Sequence, residues 1–94
     1  MSIEFEWDPT KAAANLAKHG VSFGEASTVF HDPLSVTTPD PRHSRGEERF
    51  AILGVSTSGR LLAVFHIEHD RRIRIFSARP ATRFERQTYE EEPI

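Results

Sequence analysis

Arginines are concentrated near the C-terminal end of the sequence, where they could bind phosphate. Six arginines and one acidic residue lie between positions 71 and 89. A planar guanidinium donates paired N–H groups to phosphate or carboxylate oxygens. The stretch therefore predicts a positive surface suited to a phosphate-bearing ligand, and the binding residues that we predict are Arg74, Arg83, Arg49 and Tyr89.

Histidine and carboxylate side chains outside this stretch could transfer protons. Cleavage of RNA by its own 2′-hydroxyl requires a base for that hydroxyl, cations for the pentavalent phosphate and an acid for the leaving 5′-oxygen. His43 is our first candidate, because histidine titrates near neutral pH and Glu48 could orient the ring. The set that we predict to be catalytic is His43, Glu48, Lys18, His19, Arg60 and Arg79.

The same residues also have structural interpretations. Lys18 and His19 lie in the last turn of a predicted helix, where the helix dipole favours cations. His43 is equally well explained as a solvated loop residue, and Glu48 could pair with Arg49 in a surface ion pair of little energetic weight. Catalysis and local stabilisation therefore stay open as alternatives for these side chains.

The composition predicts one domain and excludes several kinds of site. A chain of 94 residues suffices for one sheet, a few helices and a single core, so we expect one domain spanning 1–94. It contains no cysteine, which excludes disulfides and thiolate chemistry. His66 and His69 need not share a face of a strand, so we predict no metal and no cofactor. No stretch approaches the roughly 18 apolar residues of a membrane span, and we expect a cytoplasmic protein without membrane contact.

Capping signals in the first third of the sequence predict two helices. Asp8 is suited to the start of a helix and Gly20 to its end. Ser22 and Glu25 have the spacing of a capping box at the start of a second, short helix, whose apolar stripe we assign to the core. An acidic strand at residues 3–5 precedes both helices and is expected at an edge of the sheet.

The remaining sequence predicts a meander of strands followed by a helix. Three apolar, β-branched runs lie between residues 50 and 78 and are separated by turn residues. Thr82 and Glu85 repeat the capping-box spacing, and Phe84 is expected to anchor the last helix on the sheet. The predicted fold class is α+β, an antiparallel sheet with two N-terminal helices and one C-terminal helix.

Motifs spread along almost the whole chain resemble the BrnT-type toxins. The run from Phe5 to Lys11, the segment from Lys18 to Phe23 and the pair Asp32-Pro33 are similar to the N-terminal half of that family. The similar residues of the C-terminal half are His43-Ser44, Glu47-Glu48-Arg49, Gly59-Arg60, Ile75 to Arg79, Ala81-Thr82, Glu85-Arg86 and Tyr89. The resemblance implies a compact RelE-like domain, metal-independent cleavage of RNA, and neutralisation by a cognate antitoxin.

Two functions from different classes follow from these observations. The first is a toxin that acts as an endoribonuclease, with RNA as substrate and an antitoxin as protein partner. The alternative is a non-catalytic binding module, whose arginine surface docks an acidic protein or a nucleic acid. In both cases we expect Arg60, Arg74 and Arg79 to converge on one face of the sheet.

Overall fold

The structure is a computed structural model, and it describes residues 3–40 and 46–91. These residues form five strands, three α-helices and a short 3₁₀ turn. In chain order the elements are β1 (Glu4–Glu6), α1 (Pro9–His19), α2 (Phe23–Thr28), the 3₁₀ turn (Val29–His31), β2 (Val36–Pro39), β3 (Arg49–Val55), β4 (Leu61–His69), β5 (Arg72–Pro80) and α3 (Arg83–Glu90).

The strands pair into one mixed sheet with the order β1-β5-β4-β3-β2. The meander β3-β4-β5 is antiparallel, as predicted, and β1 lies at an edge. However, β1 pairs with β5 in parallel, Glu4 opposite Arg72 and Glu6 opposite Arg74. The α+β class is confirmed, and the parallel pair makes the sheet mixed rather than wholly antiparallel.

The two N-terminal helices begin and end at their predicted caps. The Asp8 carboxylate accepts a hydrogen bond from the Thr10 amide at 2.7 Å, and Gly20 ends α1 with a φ of +70°. The Ser22 hydroxyl accepts from the Glu25 amide at 2.9 Å. The Glu25 carboxylate does not complete the predicted capping box, because it accepts from Arg60 and Ser56 instead.

The face of the sheet that packs against α1 and α2, here called the first face, carries the core. Its buried residues on β4 and β5 alternate with residues that point to the opposite side, and α2 and the 3₁₀ turn contribute the predicted apolar stripe. The buried cluster consists of Val21, Phe23, Ala26, Val29, Ile52, Leu62, Val64, Ile73, Ile75 and Ala78.

Asn15 joins α1 to this core by hydrogen bonds. It is 8% exposed, and its amide donates to the carbonyls of Val21 at 2.9 Å and Ala78 at 2.8 Å. Its carbonyl oxygen accepts from the Ala78 amide at 3.1 Å. Because β1 pairs only with the first part of β5, the Asn15 side chain satisfies the Ala78 backbone where a neighbouring strand would otherwise do so.

The last helix, α3, is attached mainly through polar side chains. The Thr82–Glu85 capping box is present at its start, as predicted. Phe84 does not anchor the helix, since it is 75% exposed. Glu85 and Tyr89 are instead the half-buried residues of α3, because positions four apart share a helix face and Phe84 lies off that face.

Candidate functional site

Three predicted arginines lie on the face of the sheet opposite the core, here called the second face. Arg49 on β3 is paired with Ile67, which is in turn paired with Arg74 on β5. Arg79 lies further along β5, opposite Ala63. Paired residues share a face, so the structure places Arg49, Arg74 and Arg79 on one side of the sheet.

A β-bulge in β5 determines which side Arg79 faces. Ser77 is paired with Phe65 and Ile75 with His66, so Phe76 has no partner in the register. The extra residue inverts the alternation beyond it. Without the bulge, the alternation that buries Ile75 would also turn Arg79 towards the core.

A bidentate ion pair with Glu85 fixes the orientation of the Arg79 guanidinium. Its Nη1 and Nη2 atoms donate to the two carboxylate oxygens at 2.7 and 2.9 Å, and Nη1 also donates to the Pro80 carbonyl at 3.3 Å. The hydrogen bond from Arg79 lowers the pKa of Glu85, and the same bond raises the pKa of Arg79. The pair is therefore charged at neutral pH and fixes the orientation of the guanidinium.

Two phenylalanines on the second face contact the arginines. The rings of Phe65 and Phe76 have centroids 6.5 Å apart. The Arg49 guanidinium carbon lies 4.3 Å from the Phe76 centroid, and that of Arg79 lies 5.3 Å from the Phe65 centroid. These distances are within the range of cation–π contacts, so Arg49 and Arg79 lie at opposite ends of an aromatic pair.

Arg74 lies at the β1 side of the second face and is paired with an acid. Its Nη1 atom is 3.6 Å from a carboxylate oxygen of Glu6, and both side chains are about half exposed. Arg72 and Glu4, two register positions away, form a similar contact, also at 3.6 Å. The acids of β1, which the sequence placed at an edge, thus partly neutralise the arginines of β5.

Arg60 does not join the other two arginines of the predicted convergence. Its Nε and Nη2 atoms donate to the Glu25 carboxylate at 3.0 and 2.6 Å, and Nη2 also donates to the Gly20 carbonyl at 3.0 Å. The hydrogen bond from Arg60 lowers the pKa of Glu25 and the bond raises the pKa of Arg60. These contacts are with the start of α2 and the end of α1, whereas Arg79 contacts α3.

Tyr89 is hydrogen-bonded to Asp32, the residue that follows the 3₁₀ turn. Its hydroxyl donates to Oδ2 of Asp32 at 2.6 Å, and the same oxygen accepts from the Val55 amide at 2.8 Å. The bond to Asp32 raises the pKa of Tyr89 to about 12. Burial opposes ionisation of Asp32, but hydrogen bonds from Tyr89 and the backbone amides of Val55 and Leu34 keep its pKa below the usual value.

The remaining predicted site residues that the structure describes lie in three parts of the chain. Lys18 is exposed and His19 half-buried in the last turn of α1, next to the Gly20 carbonyl that Arg60 contacts. Glu48 is exposed immediately before β3, and Arg83 is exposed at the first position of α3. His43 falls outside the described residues.

The sequence interpretation missed the two phenylalanines and the two carboxylates that complete these clusters. Phe65 alternates with the buried His66, so period-2 patterning could have placed it on the second face. Glu85 lies six residues from Arg79, and its spacing from Thr82 predicts only the capping box. Glu25 lies 35 residues from Arg60, and no local signal connects them.

The described residues contain no group of three histidine, cysteine or acidic side chains that could hold a metal ion. His66 is fully buried and its Nε2 atom lies 2.9 Å from the Glu68 carboxylate, whereas the His69 side chain is exposed. The two histidines therefore have different surroundings. None of the helices within 3–40 and 46–91 has the length and apolar character needed to cross a membrane.

Comparison with known proteins supports the resemblance read from the motifs. The crystal structure of the Brucella abortus ribonuclease toxin, BrnT, matches with a TM-score of 0.67 and 20% sequence identity, covering 87% of this chain and all of that chain. This similarity shows the fold. No curated protein matches the sequence. A family model described as the ribonuclease toxin, BrnT, of a type II toxin-antitoxin system matches residues 7–85, and because that span is most of the chain, the protein belongs to the BrnT family.

Proposed function

We propose that this chain is a toxin that cleaves RNA internally, without a metal ion, through attack of the 2′-hydroxyl on the neighbouring phosphate. The observation that carries the proposal is the placement of Arg49, Arg74 and Arg79 on one face of the sheet. Membership of a family of ribonuclease toxins supports RNA as the substrate. The RelE-like character implied by the resemblance is part of the same proposal.

Arg79 is our principal phosphate-binding group. An arginine has five N–H donors, and the bonds to Glu85 and Pro80 use three of them. Nε and the second hydrogen of Nη2 can still bind a phosphate oxygen. Because Glu85 already fixes the plane of the guanidinium, binding a phosphate loses little further conformational entropy. Arg49 and Arg74 add positive charge on the same face, and Arg83 does so at the start of α3.

The proposed step forms one bond and breaks another. The 2′-oxygen bonds to phosphorus as its proton moves to a base, and the bond to the 5′-oxygen breaks as that oxygen is protonated. The products are a 2′,3′-cyclic phosphate and a free 5′-hydroxyl. The arginines stabilise the pentavalent phosphate, which carries the greatest charge on this path, and this is why we propose that no metal ion is needed.

We propose that His43 moves the proton of the 2′-hydroxyl and that Glu48 orients its ring. Glu48 directly precedes Arg49, so a histidine oriented by Glu48 would be close to the arginines of the second face. Lys18 and His19 are proposed as additional charges near the leaving oxygen. The contacts of Arg60 with Glu25 and Gly20 give it a positioning role between α1, α2 and the turn before β4.

We also propose that a cognate antitoxin binds and covers the second face in the cytoplasm. An active ribonuclease would harm its own cell, so it has to be inhibited until it is needed. Half-exposed arginines and phenylalanines suit an acidic, aromatic-bearing segment of such a partner. The complex would protect the second-face arginines from solvent.

The test is an RNA cleavage assay in excess chelator. Wild-type protein is expected to give products with 2′,3′-cyclic phosphate ends. Arg79→Ala removes a contact to the pentavalent phosphate and should lower the rate by about tenfold to several hundredfold. Arg86→Ala is the matched control, because Arg86 is an exposed arginine of α3 whose pairing partner is Glu90, at 3.6 Å.

Three results would contradict parts of the proposal. Cleavage that disappears in chelator would oppose the metal-independent step. Wild-type protein that binds RNA but leaves it intact would support the alternative, a binding module. Equal activity of folded Arg79→Ala and Arg86→Ala would place the phosphate site elsewhere.

A further inference from the structure

Phe65 and Phe76 are half-buried, and both are large and apolar. They lie on adjacent strands of the second face, outside the buried core cluster, with ring planes tilted by 45°. Phe5, Trp7 and Phe30 are also half-buried, but they pack against the core of the first face. Phe65 and Phe76 contact arginines instead of the core, and this difference calls for a functional explanation.

The bulge in β5 brings the pair and its arginines together. Phe76 is the residue without a partner in the register, and beyond it the alternation is inverted. As a result, Phe76 and Arg79 both face the second side. Bulges often re-aim side chains beside functional sites, and here the bulge makes Arg79 a neighbour of Phe65 instead of a core residue.

The chemistry of this cluster suits an unpaired nucleobase. Every base has a flat π-face that stacks on phenylalanine rings and on arginine planes. The Arg49 guanidinium carbon already lies over the Phe76 ring, 4.3 Å from its centroid, which adds a cation to the aromatic pair. Arg79, at the other end of the pair, is the proposed phosphate group, so a base bound here would lie one step from the phosphate under attack.

We propose that Phe65 and Phe76, together with Arg49 stacked on Phe76, form a stacking site for one unpaired base of the RNA substrate. The inference rests on the proposed ribonuclease function and adds to it a substrate class: single-stranded RNA with an accessible base next to the cleaved bond. Stacking accepts any base face, so the site positions the RNA and contributes little to sequence preference.

The experiment uses RNA that cannot be cleaved. A series of single-stranded oligonucleotides with 2′-O-methyl groups throughout carries one fluorescent purine, 2-aminopurine, at successive positions. Stacking quenches this fluorophore, and because the site accepts any base, wild-type protein should quench it at the interior positions of the series. Fluorescence anisotropy of the same mixtures gives the affinity.

Phe65→Leu and Phe76→Leu should each remove most of the quenching and weaken binding by about tenfold. Arg49→Lys keeps the positive charge but removes the planar guanidinium. It should therefore reduce quenching while leaving the salt dependence of binding nearly unchanged. Phe84→Leu is the matched control, since Phe84 is exposed on α3, and it should behave as wild type. Thermal unfolding of each variant shows whether the fold is intact. If Phe65→Leu does not fold, Phe76→Leu and Arg49→Lys test the stacking site.

The outcomes separate this proposal from the ribonuclease proposal. A wild-type protein that cleaves RNA but quenches no position, or whose phenylalanine variants quench as strongly as wild type, overturns the stacking site and leaves the ribonuclease standing. A wild-type protein that quenches but never cleaves overturns the ribonuclease. Loss of quenching in the Phe65, Phe76 and Arg49 variants, with the Phe84 variant unchanged, supports the stacking site.

Discussion

The two faces of the sheet are covered in different ways. On the first face, α1 and α2 bury an apolar cluster, and the polar Asn15 within it has all its hydrogen bonds satisfied by the backbone. On the second face Arg74 is exposed, and the residues that are half-buried are Arg49, Phe65, Phe76 and Arg79. The last helix, α3, is attached to the rest of the domain by the pairs Arg79–Glu85 and Tyr89–Asp32.

This difference separates stability from function. Apolar burial supplies most of the free energy of folding, so substitutions on the first face should lower the free energy of unfolding. Half-exposed polar pairs contribute less, which leaves the second face free to carry charge for a ligand. Substituting residues on each face in turn and measuring stability is therefore the direct test of this comparison.

The largest expected effect on stability comes from Asn15→Ala on the first face. The substitution leaves the amide and carbonyl of Ala78 and the carbonyl of Val21 without their partner inside the protein. Buried groups left in this way should lower the free energy of unfolding by about 3 kcal/mol. Urea unfolding followed by circular dichroism measures the change.

Leu16→Ala is the control on the same helix, because the Leu16 side chain is 52% exposed. Leu16→Ala should lower the free energy of unfolding by less than about 1 kcal/mol. Equal effects of the two substitutions would mean that Asn15 does not hold α1 to β5. RNA cleavage per folded molecule should stay unchanged in both variants.

A smaller effect is expected from Gly54→Ala, which adds one carbon atom to the first face. The new Cβ would lie 2.7 Å from Cγ1 of Val29 and 3.2 Å from both the Val29 carbonyl oxygen and Cβ of Ser35. Overpacking of this kind costs about 1–3 kcal/mol. The same urea experiment should show it as a lower unfolding midpoint.

Gly24→Ala is the matched control, since its added carbon would approach Ser22 Oγ no closer than 3.8 Å. Alanine is also the better helix former, by up to about 1 kcal/mol, so this variant should be neutral or slightly more stable. A Gly54 variant as stable as wild type would show that β3 and the 3₁₀ turn can move apart.

The sequence predicted those parts of the fold that local signals encode. Asp8 and Gly20 bound α1 because their side-chain chemistry and backbone freedom act within one turn. The Thr82–Glu85 box starts α3 for the same reason. The meander followed from apolar runs separated by turn residues, since neighbouring strands in sequence tend to pair.

Long-range pairing was not readable in the same way. The parallel contact of β1 with β5 joins the two ends of the chain, and the bulge at Phe76 depends on the register with β4. The composition identified the arginines of the candidate site, but it did not identify the acidic residues that form ion pairs with them. Phe84 was the wrong anchor because the direction of α3 is set by tertiary contacts, and these place Glu85 and Tyr89 inward.

The smallest effect is expected at the attachment of α3, where Tyr89→Phe removes the hydrogen bond to Asp32. Both residues are only partly buried, so we expect a loss of about 1 kcal/mol at neutral pH. The folded-state pKa of Tyr89 is raised from 10.0 to about 12, so the bond contributes fully below pH 10 and is lost as the pH rises towards 12. Wild type should therefore lose its stability advantage over Tyr89→Phe across that interval.

The titration can be read directly, because Tyr89 is the single tyrosine of the chain. Near-ultraviolet absorbance of the tyrosinate should rise near pH 12 in wild type, with circular dichroism recorded alongside to follow unfolding. Asp32→Asn removes the negative charge that opposes ionisation, so its transition should move back towards 10, the ordinary tyrosine value. A wild-type transition at that ordinary value in the folded protein would mean that Asp32 does not hold α3. The Arg79–Glu85 pair would then hold α3 without a contribution from Tyr89, and Glu85→Gln should weaken the attachment of α3 in wild type and in Tyr89→Phe to the same extent.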